Sequence, residues 1–242
     1  MKILALDSSG IVASAAIVED DTLLAEYTVN YRKTHSQTLL PMLDEIVKMT
    51  ELDLETIDAI AVAAGPGSFT GLRIGSATAK GLGLALNKPI VAVPTVDALA
   101  CNLYDTWGLV CPIMDARRNQ VYTGIYRFTE HKLDVIKPQW AAPIEELIQE
   151  LNTRKEMVTF LGDGVPVFRN IIEEKLKVPF SFAPAHVNKQ RAGSVAALGM
   201  IYLKEGKVQT AMEHVPEYIR VSQAERERAE REKSQKQAGI LK

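Results

Sequence analysis

Apolar and polar positions along this chain switch repeatedly between a two-residue and a helical period. Ile3 to Asp7 is a short apolar run that ends in an acid. Val12 to Val18 and Leu23 to Val29 are strand-like, and the Glu19-Asp20-Asp21 cluster between them reads as a hairpin turn. A helical pattern covers about Ser36 to Met49. Ile57 to Ala64 is a strand ending at Gly65-Pro66-Gly67, and a long small-residue helix follows over roughly Thr70 to Leu86, with Asn87 as its stop. Pro89 to Val93 is another strand.

The same order then recurs. Cys111 to Asp115 is an apolar run ending in an acid, and Val121 to Phe128 and Leu133 to Trp140 are strands. Ile144 to Leu151 is a helix introduced by Pro143. Met157 to Leu161 is a strand ending at Gly162-Asp163-Gly164. Pro166 to Leu176 is a helix, Phe180 to Ala183 a short strand, and Gly193 to Lys204 a last helix. Both halves read strand, strand, strand, helix, strand, helix, strand. Strand–Gly turn–helix units favour mixed sheets covered by helices. A duplicated unit of this order is the layout of the actin-like ATPase (ASKHA, ribonuclease H-like) α/β fold. The expected division is a first lobe over 1–105, a second over 106–222, and a charged tail over 223–242.

Two helices carry more apolar surface than one contact needs. In the first, Leu39, Leu40, Met42, Leu43, Ile46, Val47 and Met49 span about half the cylinder, beyond the ~100° stripe of a helix lying on a sheet. In the second, only Arg73 and Lys80 are charged, on one stripe with Ala77 and Leu84. Its Gly71, Gly75, Gly81 and Gly83 each cost about 1 kcal/mol relative to Ala in a helix interior. Close approach of another backbone would explain tolerating that, and the pair suggests an intermolecular helical contact.

The acid-terminated strands are the candidate chemistry. In this fold class two Gly-rich hairpins, one per lobe, cradle phosphates with backbone N–H groups. Here the first is Asp7-Ser8-Ser9-Gly10 and the second Asp115-Ala116-Arg117-Arg118-Asn119-Gln120. The second has no glycine, and its arginines cannot wrap a phosphate in the same way. Asp7, Ser8, Ser9, Asp115 and Arg118 thus read as a degenerate nucleotide site, or else as ordinary strand ends with solvated turns. Gly65 to Gly71 lacks GxxxxGK[ST], so it is no P-loop. It is either an anion site at a helix N-terminus or a tight turn with Ser68 or Thr70 as N-cap.

Composition removes several classes. The 242 residues are 47% hydrophobic, enough for a large core, and the net charge of −2 lacks the basic excess of a polyanion binder. If RNA is involved, a partner supplies the phosphate contacts. Cys101 and Cys111 fit neither a metal pair nor CxxC and read as buried small hydrophobes of a reducing compartment. His35, His131, His186 and His214 have no metal-ligand spacing, and no serine lies in G-x-S-x-G. No catalytic residue and no metal is expected. No apolar run approaches ~18 residues and no signal peptide precedes the first strand, so a cytoplasmic, membrane-free protein is expected. The tail, with AERERAEREKSQKQ, is polar on every side and reads as a solvated end or a partner-binding helix.

AVAAGPGSFTGLRIGSATAKGLGLAL at 61–86 resembles one family strongly, and ILALDSS at 3–9, HSQTLLPML at 35–43 and YIRVSQAER at 218–226 match its pattern in order. That family is TsaB (YeaZ), the bacterial partner of the tRNA threonylcarbamoyltransferase TsaD. The resemblance implies the actin-like fold and a dimerisation or scaffold role with TsaD and the small ATPase TsaE. Together these place threonylcarbamoyl on adenosine 37 of certain tRNAs, so this chain would meet tRNA only through the complex. In TsaD the equivalent block is followed by an HxxxH metal motif. Here Pro94-Thr95-Val96-Asp97-Ala98-Leu99 has no histidine, so that metal site does not carry over. No resident cofactor is expected, with weak ATP or ADP binding left open.

The family's pairing surface is the helical face of the first lobe, which also forms a homodimer when TsaD is absent. The expected contact residues are Leu39, Leu40, Leu43, Val47, Leu72, Gly75, Ser76 and Ala79. Of these, Leu39, Leu43, Leu72 and Ser76 are expected to be exposed in a lone protomer. The rival reading is an active ATP-dependent enzyme of the same fold, a kinase or a peptidase. The missing second Gly-rich loop and the missing HxxxH argue against it. A homodimeric interaction protein unrelated to tRNA is opposed only by the resemblance.

Overall fold

The structure, a computed structural model, describes residues 1–31 and 33–220. The charged tail therefore lies outside the described residues. Strands β1 (Lys2–Asp7), β2 (Ala13–Glu19), β3 (Thr22–Val29), β4 (Ala59–Gly65) and β5 (Ile90–Pro94) form one sheet in the order β3-β2-β1-β4-β5. The first three are antiparallel, and β4 and β5 run parallel to β1. Strands β6 (Leu109–Asp115), β7 (Gln120–Thr129), β8 (Lys132–Pro143), β9 (Val158–Leu161) and β10 (Phe180–Phe182) form a second sheet, β10-β9-β6-β7-β8. Read from its β8 edge, the second order repeats the first. This is the duplicated actin-like topology.

The helices are α1 (His35–Met49), α2 (Phe69–Leu86), α3 (Thr95–Ala100), α4 (Ile144–Arg154), α5 (Val165–Lys175) and α6 (Ala192–Lys204). Alternation along β1 sends Leu4 and Leu6 to one face, where they pack with Leu39, Leu43 and Ile46 of α1 and Ala79 of α2. Ile3 and Ala5 point to the other face. β4 is buried along its whole length, as expected of a strand covered on both sides. In the second sheet, Leu109, Cys111 and Ile113 pack against Ile144, Leu147 and Leu151 of α4 and Phe168 and Ile172 of α5.

The expected lobe boundary needs correction. Ile3, Ala5, Ala61 and Val93 on the first sheet's second face are covered by Ala192, Val195, Ala196, Leu198 and Met200 of α6. Gly199 allows this approach, because a Cβ there would lie 2.8 Å from the Cβ of Ala61. Thus α6 completes the first lobe, and the second sheet is inserted between α3 and α6. The sequence pattern, with its boundary between 105 and 106, places this helix in the second lobe.

α3 is also absent from the pattern-based reading. Its six residues are all buried between the two sheets, so it has no polar face to reveal a helical period. Ala98 packs with the first sheet, while Val96, Leu99 and Ala100 pack with Val110, Met114 and Tyr126 of the second. The Tyr126 hydroxyl donates to Asp97 Oδ1 at 2.6 Å across this junction. No helix among the described residues is long and apolar enough to cross a membrane.

Val195→Asp, which buries an unpaired charge under α6, is expected to cost more than about 3 kcal/mol. Native-state hydrogen exchange should rise first at β1 and β4. A rise confined to β6 and β9 would return α6 to the second lobe.

Candidate functional site

Asp7 ends β1 in the middle of the first sheet and is 1% exposed. Its Oδ1 accepts from the Ser9 backbone N–H at 2.9 Å and from the Ser9 hydroxyl at 2.7 Å. The Ser8 hydroxyl donates to the Gly71 carbonyl at 2.9 Å, and the Ser68 N–H donates to the Ser9 carbonyl at 2.7 Å. Both hydroxyls that a phosphate would meet are therefore turned into the protein. Burial pushes the Asp7 carboxyl up to about 6, against the Ser9 hydrogen bonds and the attraction of His35, whose Nε2 lies 2.8 Å from the Gly10 carbonyl oxygen.

The glycines of the Gly65–Gly75 block serve this contact. A Cβ at Gly71 would stand 2.0 Å from the Ser8 carbonyl oxygen, one at Gly67 2.3 Å from that of Ser9, and one at Gly75 2.5 Å from the Ser8 hydroxyl. The first hairpin is pressed against the start of α2, and only residues without side chains permit it. Ser68 is the N-cap, its Oγ accepting from the Gly71 N–H at 3.3 Å. The block is a capped turn shaped for a protein hairpin.

Between the lobes lies a cleft of about 390 Å³. Ser9, Gly10, Gly67 and Ser68 line it from the first lobe, and Asp115, Ala116, Arg117, Tyr122, Asp163 and Val167 from the second. The second hairpin holds Arg117, Arg118 and Asn119 in the left-handed region, with φ of 65°, 55° and 56°. Each non-glycine residue held there costs on the order of 1 kcal/mol. Asp115 accepts from the Arg117 N–H at 2.8 Å and pairs with its guanidinium at 3.0 Å. Asp163, read from sequence only as part of a turn, lies at the same cleft and accepts from the Asp115 N–H at 3.3 Å. Burial raises its carboxyl above the ordinary range. The structure thus brings Ser9 and Asp115 to one cleft, while Asp7 and Ser8 are buried behind it and Arg118 is exposed, all three absent from its lining.

These residues do not fit a tightly held nucleotide. The carboxylates of Asp115 and Asp163 line the second-lobe wall, and Arg117, the cation in the lining, is already paired. Among the described residues no group of three or more His, Cys, Asp or Glu is placed to hold a metal. The histidine-free 94–99 segment forms the end of β5 and most of α3. Burial pushes both Cys101 and Cys111 up to about 12, so neither thiol is a ready nucleophile.

The helical face expected to meet a partner is corrected in detail. Leu39, Leu43, Leu72 and Ser76, expected exposed, are 1%, 3%, 1% and 4% exposed, and Gly75 and Ala79 are buried too. α1 and the sheet cover one side of α2. A further side is covered by the chain's own segment after α6. There the His214 ring bonds the Ser76 hydroxyl at 3.0 Å and Gln209 Oε1 at 3.1 Å, Lys80 donates to the His214 carbonyl at 2.9 Å, and Tyr218 packs on Phe69. No periodicity marks this segment, and sequence reasoning missed it. Of the expected contact residues Leu40 is 53% exposed and Val47 half-buried. The open side of α2 carries Ala77, Gly81, Leu84 and Ala85. Nothing lies within 4 Å of a Cβ built at Gly81, so its cost has no explanation inside the protomer.

Two glycines of α2 should respond oppositely to alanine. Gly81→Ala should raise protomer stability by about 1 kcal/mol, and Gly71→Ala should lower it by about 3 kcal/mol or more. Denaturant unfolding checks both, and equal responses would contradict the packing. Asp7 yields a pH test. A carboxyl raised in the folded state binds its proton more tightly there than when unfolded. Its stabilisation is complete below the ordinary value of 3.8 and is lost as pH rises through about 6. Asp7→Asn should therefore stabilise the fold at pH 7.5 by on the order of 2 kcal/mol and give no gain near pH 4. A pH-independent effect would contradict this.

Comparison with known proteins adds the following. A family model described as TsaD, tRNA N6-adenosine threonylcarbamoyltransferase, matches residues 22–228. The tRNA threonylcarbamoyladenosine biosynthesis protein TsaB of Bacillus subtilis is 34% identical over 225 residues, which are 93% of this chain and 96% of that protein. TsaB of Escherichia coli is 31% identical over 230 residues, 91% and 95% of the two chains. The solved structure of YeaZ from Pseudomonas aeruginosa matches with a TM-score of 0.76 at 25% identity, covering 90% of this chain and 99% of that one. The chain belongs to the TsaB (YeaZ) family.

Proposed function

We propose that this protein is a non-catalytic subunit of the cytoplasmic machinery that places threonylcarbamoyl on adenosine 37 of tRNA, and that it works by binding TsaD. The observation that carries this reading is the whole-chain likeness to Bacillus subtilis TsaB. The absence of independent catalysis is supported by the left-handed, side-chain-bearing turn at 117–119, the inward-turned hydroxyls of Ser8 and Ser9, and the paired Arg117. The cleft keeps room for ATP or ADP, and we expect binding there to be weak. TsaE joins the pair, tRNA is met through the complex, and the same face closes a homodimer when TsaD is absent.

The partner face in this reading runs along the open side of α2, with Leu40 and Val47 of α1 at its border. Ala77 and Gly81 keep side chains short, so a second helix can come close, and Leu84 offers an apolar anchor at 60% exposure. A homodimer across this stripe would be isologous, α2 meeting its own copy.

Ala77→Arg and Leu84→Glu should change protomer stability by less than about 0.5 kcal/mol, because both positions are exposed. Both should abolish TsaD capture in a pull-down and fail to restore threonylcarbamoyladenosine to tRNA in Bacillus subtilis lacking its own TsaB. Restoration by the wild type and by both variants would misplace the face. Failure of the wild type would overturn the function.

A further inference from the structure

The segment after α6 has no regular helix or strand among its described residues, yet it makes hydrogen bonds to both lobes. It leaves α6 and pairs with β5 through hydrogen bonds in both directions between Ile90 and Gln209, each 2.8 Å. Ala211 enters the first-lobe core. His214, with no exposed surface, is held by Ser76 and Gln209, and Lys80 grips its carbonyl. The chain then crosses the end of β4, where the Glu217 N–H donates to the Ala64 carbonyl at 2.7 Å. The crossing is possible because Gly65 has φ +128° and no Cβ, which would stand 2.2 Å from the Glu217 carbonyl oxygen. Up to this point every partner is in the first lobe.

Beyond it the segment reaches the second lobe. Gln139 of β8 donates through Nε2 to Glu217 Oε2 and to the Gly65 carbonyl, each at 3.2 Å. Arg220 donates to the carbonyl of Ala116, a residue of the cleft-lining second hairpin. At the other connection between the lobes, Asn102 donates to the carbonyls of Val187 and Lys189 at 2.9 and 2.6 Å and accepts from Ser194. Two lobes joined by a modest interface move relative to one another by default. Here a second tie at the cleft opposes such movement.

We propose that residues 205–220 are an interlobe latch that holds the cleft at one opening. The segment suits a releasable latch. Met212 and Val215 are 75% and 69% exposed, so much of it is held by hydrogen bonds rather than by buried area, and such segments open at the low end of the stability range. Its seat along α2 lies beside the open Ala77–Gly81–Leu84 stripe. Whatever engages α2 therefore lies next to the part of the chain that fixes the lobes.

Spin labels at Glu45→Cys on α1 and Glu174→Cys on α5 report the lobe separation in the full chain. The latched protein should give one narrow distance distribution. Glu217→Ala with Arg220→Ala removes the side chains that reach the second lobe and leaves the first-lobe anchors in place. That variant should broaden the distribution at least two-fold without lowering the melting temperature by more than a few degrees. His214→Ala releases the segment from α2 and should broaden it likewise, with exchange at 209–217 accelerated about ten-fold or more. If His214→Ala does not fold, the Glu217/Arg220 variant decides alone. An unchanged narrow distribution in that variant, or in a folded His214→Ala protein whose segment exchanges freely, overturns the latch.

Discussion

The contact between the Ser8–Ser9 hairpin and the start of α2 is the constraint on which the rest of the structure depends. Gly67, Gly71 and Gly75 bring backbone and hydroxyl atoms of the hairpin to where a Cβ would stand. Ser68 caps the helix, and the Gly71 carbonyl and Asp7 accept from the Ser8 and Ser9 hydroxyls. Three consequences follow from this one piece of packing. The angle of α2 on the sheet is fixed. The first phosphate hairpin of an actin-like fold is closed on itself. And α2 is left with one side against the sheet, one under the 205–220 segment, and one open.

Much of this was legible in the sequence because it is local. The duplicated order of strands follows from apolar runs ending at Asp7 and Asp115, and the sequence narrows the α2 cap to Ser68 or Thr70, of which the structure uses Ser68. What was not legible depends on long-range packing. α6 covers the first sheet although it follows the second, a pairing that periodicity cannot encode. α3 has no polar face because both sheets bury it. The excess apolar surface of α1 and α2 points, in the sequence alone, to an intermolecular contact. Most of it is consumed inside the protomer, since Leu39, Leu43 and Ala79 meet the sheet and Ser76 meets His214. Gly81 alone of the α2 glycines has no neighbour within 4 Å of a Cβ, and a sequence cannot separate it from Gly71, Gly75 and Gly83, whose neighbours justify them.

The strand-end acids at and behind the cleft sit in unlike surroundings. Asp7 and Asp163 are held where burial penalises their charge, which destabilises the fold at neutral pH. The second hairpin keeps its acid but trades glycine for Arg117 and Arg118 in left-handed conformations. What the architecture retains is a pair of lobes tied at α3 and at the C-terminal segment, presenting α2 on a fixed platform.

Hydrogen exchange of the full chain, measured with and without the TsaD of the same organism, tests this account most directly. The account predicts a stoichiometric complex in which amides over 77–85 of α2 become strongly protected, while those of the second sheet are unchanged. Protection centred on the second lobe, with α2 exchanging as in the free protein, would contradict it.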